Sequence, residues 1–164
     1  MKIHIIAAAL SLAAFAAPAE AAKNDFFSDL SGKWSGSGNA YLAKLGDVSA
    51  NCKLSINGAS GSVAMSGKCG LLLFQQPLGL NLKATNPNYV TGTYTGSKTG
   101  TAKLSGAVKG DKLVLAVAWN GPVNGDHSAQ MVLKRSGANS LELTVIDKVN
   151  GKARNTSRFS FKRN

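Results

Sequence analysis

The apolar positions of this chain recur with a period of two along most of its length. In "VSANCKLSI", Val48, Ala50, Cys52, Leu54 and Ile56 alternate with Ser49, Asn51, Lys53 and Ser55. That alternation predicts a strand with one apolar face. The cluster "NGASG" follows as a turn, and "SVAMSGKCG" then sets Val63, Met65 and Cys69 on one face. Paired as a hairpin with Ile56 opposite Met65, the two strands place Leu54 opposite Gly67 and Cys52 opposite Cys69. Directly opposed residues at a non-hydrogen-bonded pair have Cα atoms about 4.5 Å apart, at the short end of the disulfide range of about 4.4–6.8 Å. The register that gathers the apolar residues therefore also gathers the cysteines.

The same style continues. Tyr89 to Gly96 and Thr101 to Val108 are short β-like runs parted by glycine and serine. After the turn Lys109-Gly110-Asp111, Leu113, Leu115, Val117 and Trp119 share a face, as do Ala129, Met131 and Leu133, then Leu141, Leu143 and Val145, and finally Phe159 and Phe161. No run after residue 24 has apolar spacing of three and four. Evenly spaced short strands, about eight to ten of them, predict an all-β chain, either a sandwich or an antiparallel up-and-down β-barrel. Closure removes exposed edges, which favours the barrel. Two stretches stand apart. Leu71 to Phe74 is a continuous apolar run soon interrupted by Pro77, readable as a buried strand with an edge kink or as an apolar flap at the mouth of a cavity. Segments 31–48 and 91–108 align without gaps, matching Trp34 with Tyr94, which suggests one structural device used twice.

The N-terminus changes the picture of where the fold operates. Lys2 precedes an apolar run from Ile5 to Ala17, Pro18 breaks it, and Ala19-Glu20-Ala21 offers a signal-peptidase site. The run holds 13 residues, whereas a membrane-spanning helix needs roughly 20. Residues 1–21 are expected to be a cleaved signal peptide, and 22–164 a single β-barrel domain of a bacterial periplasmic or secreted protein that does not span the membrane. Two cysteines in an exported chain favour a Cys52–Cys69 disulfide. The mature chain keeps a formal charge of +11, which attracts anionic envelope components. No nucleic-acid motif accompanies that charge, so no nucleic-acid partner is expected.

Gly32-Lys33-Trp34 at the head of a small antiparallel barrel resembles the start of the calycin superfamily, which includes lipocalins, fatty-acid-binding proteins and avidins. The resemblance implies that Trp34 plugs the closed end of the barrel beneath a basic residue of the last strand, Arg158 first and Arg163 second. The stretch around Trp119 is similar to a strand-loop-strand of bacterial avidins, although the polar constellation for biotin has no match here. The whole also resembles small periplasmic proteins of Gram-negative bacteria.

Catalytic chemistry is not indicated. His127 is the one histidine after residue 21, and Asp126, His127 and Ser128 are sequence neighbours, so they cannot converge as a triad does. The seven carboxylates after residue 21 fall mostly at turns or on polar faces, and no enzyme activity, cofactor or metal is expected. Two readings of function follow. In the first, an exported non-enzymatic binding protein holds a small apolar or amphipathic ligand against Trp119, Tyr94, Phe74, Leu72 and His127. In the second, a filled barrel docks on anionic lipid, polysaccharide or an acidic partner protein through Lys148, Lys152, Arg154, Arg158, Lys162 and Arg163. Lys134 and Arg135 could extend that surface.

Overall fold

The computed structural model describes residues 26–71 and 73–164. The predicted signal segment and Leu72 lie outside the described residues. A 3₁₀ turn, Ser28–Leu30, leads into ten strands: β1 (Gly32–Leu42), β2 (Gly46–Ala59), β3 (Ser62–Leu71), β4 (Phe74–Asn86), β5 (Tyr89–Ser97), β6 (Gly100–Lys109), β7 (Lys112–Val123), β8 (Asp126–Arg135), β9 (Ser140–Val149) and β10 (Lys152–Arg163). Each strand pairs antiparallel with its sequence neighbours, and β1 closes the barrel on β10 from Trp34 opposite Arg163 to Ala40 opposite Ser157. The expected up-and-down barrel is the fold, and closure leaves no free sheet edge along most of the wall.

Alternation builds the interior. Val48, Ala50, Cys52, Leu54 and Ile56 of β2 are buried, with exposed residues between them, and β7 repeats the pattern at Leu113, Leu115 and Val117. Ile56 faces Met65, Leu54 faces Gly67, and Cys52 faces Cys69, as the apolar pattern requires. The cysteines are joined, their Cα atoms 4.0 Å apart. Gly36 and Gly38 lie opposite Phe161 and Phe159. A Cβ on Gly36 would stand 2.5 Å from the Phe161 ring, so glycine here makes room for the stacked phenyl pair on β10.

The two ends of the barrel differ. At one end Phe26, Phe27 and Leu30 enter the core. Trp34 is wholly buried, and its indole N–H donates to the Leu30 carbonyl at 2.9 Å. The Ser31 hydroxyl both donates to the Gly58 carbonyl and accepts from the Gly58 N–H. A Cβ on Gly58 would collide with the Phe27 carbonyl at 1.8 Å, so glycine there is needed for the plug to seat. The basic partner of Trp34 is Arg163, not Arg158. The Arg163 guanidinium lies 4.4 Å over the Trp34 ring and donates to the Ser31, Asp29 and Ala138 carbonyls. Arg158 is exposed on the outer wall, opposite Asn39 and Thr144. Strand direction explains the difference: β10 ends at the plug, so only its last residues reach Trp34.

The match between 31–48 and 91–108 does not extend to structure. Trp34 is the third residue of β1, at the plug, whereas Tyr94 is the sixth residue of β5, higher in the barrel.

Candidate ligand cavity at the open end of the barrel

The turns at 43–45, 98–99, 124–125 and 150–151, and Leu73 between β3 and β4, all gather at the end opposite the plug. Two of them are Asn-Gly pairs with positive φ at both residues, Asn124 (53°) with Gly125 (88°) and Asn150 (52°) with Gly151 (75°). This is the mirror-image turn that matches strand twist in tight hairpins. Between these turns a cavity of about 640 Å³ opens into the barrel, a size usual for small-molecule sites. Its depth is lined by Leu54, Met65, Leu80, Met131, Leu133, Leu141 and Phe161, and its upper wall by Tyr94, Trp119, Leu143 and Phe159. Leu143, Tyr94 and Trp119 belong to inward faces yet are only partly buried, because the space they face is empty of protein.

Tyr94 and Trp119 meet edge to face at 6.3 Å between ring centroids. Burial pushes the Tyr94 phenol above its ordinary value. The Trp119 indole N–H is buried and makes no hydrogen bond of full geometry. Beside it stands Asp147, 3% exposed and one of two buried polar residues among those described. Asp147 accepts from the Lys148 backbone N–H at 2.7 Å and from the Asn124 amide at 3.3 Å. Burial raises the Asp147 pKa above the ordinary 3.8, against the lowering pull of these two donors and of the nearby Trp119 N–H, while the Asp126 charge adds to the rise.

Asp147 departs from the general placement of the carboxylates at turns and on polar faces, because it is buried. The signal was present: Leu141, Leu143, Val145 and Asp147 share one parity on β9, so a strand continued to Val149 turns the carboxylate inward.

The other expected ligand contacts are placed differently. Phe74 is 75% exposed and Leu73 96%, so Phe74 is not in the cavity wall. β4 pairs with β5 only from Gly79 onward, and the hairpin tip projects past its neighbour. The same projection explains Pro77, which sits where β4 has no partner on that side and needs no ladder N–H. His127 is exposed and away from the cavity lining. β8 pairs with β9 only from Ala129, which leaves His127 above the last paired position. Its backbone N–H instead donates to Asp126 at 2.7 Å. Desolvation is the largest single influence on Asp126, but the His127 N–H, the Lys148 charge and Ser128 together hold its pKa below the ordinary value.

The basic residues of the C-terminal strand do not form one free patch. Arg154 donates to both Asp47 carboxylate oxygens at 2.9 Å and stacks 4.4 Å over Tyr41. The Lys148 ammonium lies 3.6 Å from Asp126. Lys162 donates to Ser140, Arg163 belongs to the plug, and Lys152 and Arg158 are exposed. Arg135 pairs with Asp29 and covers Phe26 at the plugged end. Among the described residues no cluster of three or more histidine, cysteine or acidic side chains is placed to hold a metal.

No family model and no curated protein matches this chain. Among solved structures it is similar to the crystal structure of Rv2717c from M. tuberculosis, with a TM-score of 0.66 and 14% sequence identity over 84% of this chain and 94% of that one. At that identity the likeness is one of fold: the chain shares a small antiparallel barrel, and membership of the calycins is not established by it.

Proposed function

We propose that this protein is an exported, non-enzymatic binding protein whose barrel holds a small amphipathic ligand, in the manner that the calycin resemblance implies. The supporting observation is the cavity itself, apolar in its depth, open at one end and sealed at the other by the Trp34 plug. Apolar lining with a few placed polar groups is the usual make-up of small-molecule sites. Native mass spectrometry of protein released from its own periplasm tests the reading. A bound small molecule that leaves on denaturation is expected. Clean apo protein that also takes up no apolar probe would overturn it.

A second role fits the open rim. The large apolar side chains most exposed among the described residues are Leu73 (96%), Phe74 (75%) and Leu45 (62%); Leu73 and Leu45 stand on turns at this end, and Phe74 opens β4. Exposed Lys44, Lys98 and Lys152 stand on or beside turns of the same end, none within salt-bridge distance of a carboxylate among the described residues. Apolar tips among lysines suit an anionic lipid surface, where each nearby lysine contributes about 1 kcal/mol. This reading keeps the envelope partner but moves the docking face from the C-terminal strand to the rim. Cosedimentation with phosphatidylglycerol vesicles should exceed that with phosphatidylcholine vesicles, fall with salt, and drop in L73S/F74S. Equal partition onto both vesicle types would argue against it.

A further inference from the structure

Polar side chains such as Gln76, Lys98, Thr99, Asp147 and Thr156 share the cavity lining with the apolar ones. Where β7 and β9 approach the rim, a donor and an acceptor stand close together with capacity to spare. The Trp119 N–H is buried and makes no hydrogen bond of full geometry, though it lies close enough to Asp147 to lower that carboxylate's pKa. The Asp147 carboxylate takes one hydrogen bond on each oxygen, from the Lys148 backbone N–H and the Asn124 amide, although a carboxylate has about four acceptor positions. Both residues line the cavity. A buried polar group left unpaired is costly, so such a pair favours whatever satisfies both members.

The chemistry of that partner is narrow. An ammonium has only donors and leaves the indole N–H unpaired. A carboxylate could accept from the indole but meets Asp147, whose charge is already disfavoured by burial and by Asp126. A hydroxyl does both, accepting from Trp119 while donating to Asp147. We propose that Trp119 and Asp147 recognise the hydroxyl head of an otherwise apolar ligand whose hydrocarbon body lies along Leu143, Met131 and Leu133. This inference rests on the reading of the barrel as a ligand carrier and names the ligand's class.

Four probes of one chain length separate the two claims: dodecane, 1-dodecanol, dodecanoate and dodecylamine, compared by native mass spectrometry or by competition. Dodecanol should bind at least tenfold more tightly than the other three. In W119F, which keeps the aromatic body and removes the N–H, most of that tenfold preference should vanish while dodecane binding persists. Equal binding of all four probes to the unaltered protein would overturn the hydroxyl assignment and leave the carrier role standing. Binding of none would overturn both. The ranking on unaltered protein does not depend on how any variant folds.

Discussion

Arg163 ties three separate pieces of chain together: the turn before β1, the loop between β8 and β9, and the ring of Trp34. Hydrogen bonds from a charged donor and a partly desolvated cation–π contact each contribute on the order of 1–2 kcal/mol. R163M should therefore lose about 2–4 kcal/mol in urea unfolding. R158M, on the exposed wall, should stay within about 0.5 kcal/mol of the unaltered protein. Asp147 carries a different prediction. Its folded pKa is raised, first by burial. Between the ordinary value of 3.8 and that raised value the folded state binds more protons than the unfolded one, so stability falls as pH rises through this window. Above the window the penalty is complete. D147N should unfold at a higher temperature than the unaltered protein at pH 7, and the gap should close below the ordinary aspartate pKa. A gap independent of pH would exclude the linkage. Neither residue's role was legible from residue type alone: Arg158 and Arg163 differ only in how far along β10 each lies.

Among the elements, the β2–β3 hairpin was the most legible, because one register satisfies three constraints at once: apolar parity, the turn at 60–61, and two cysteines. The disulfide spans a sequence separation of 17, and closing such a loop should stabilise by about 3 kcal/mol. C52A/C69A should lose at least that amount in urea unfolding, since both side chains are also buried in the core. Peptide mapping without reductant should recover the two cysteines in one linked fragment. The β3–β4 hairpin was less legible. Its apolar run reads first as a buried strand with an edge kink and second as an apolar flap, and the outcome depends on where β5 stops pairing, a property of another strand. The similarity between 31–48 and 91–108 misled for the same reason. Glycine and serine spacing repeats, but the height of an aromatic in the barrel is set by strand length and stagger.

At the scale of the whole molecule, the barrel is two unlike halves, a packed plug and a hollow mouth. Adding volume to a filled core costs about 1–3 kcal/mol. L143F adds volume at an inward position that borders the void, so it should be tolerated with no loss of stability while reducing uptake of an apolar probe. A loss of stability as large as the filled-core cost would mean that the interior has no room. Such halves are invisible to periodicity, which marks Leu113, buried away from the cavity, and Leu143, lining it, alike as inward positions. By itself the sequence determined the strand class, the alternation, the hairpin register and the cysteine pair, because each depends on residues that are near in the chain or related by one turn. Only the tertiary structure decided which arginine caps Trp34, that Asp147 turns inward beside the buried Trp119 indole, and that the open half is hollow. Those depend on closure of β1 onto β10, which sets the stagger of every strand and therefore which inward side chains meet and which face empty space.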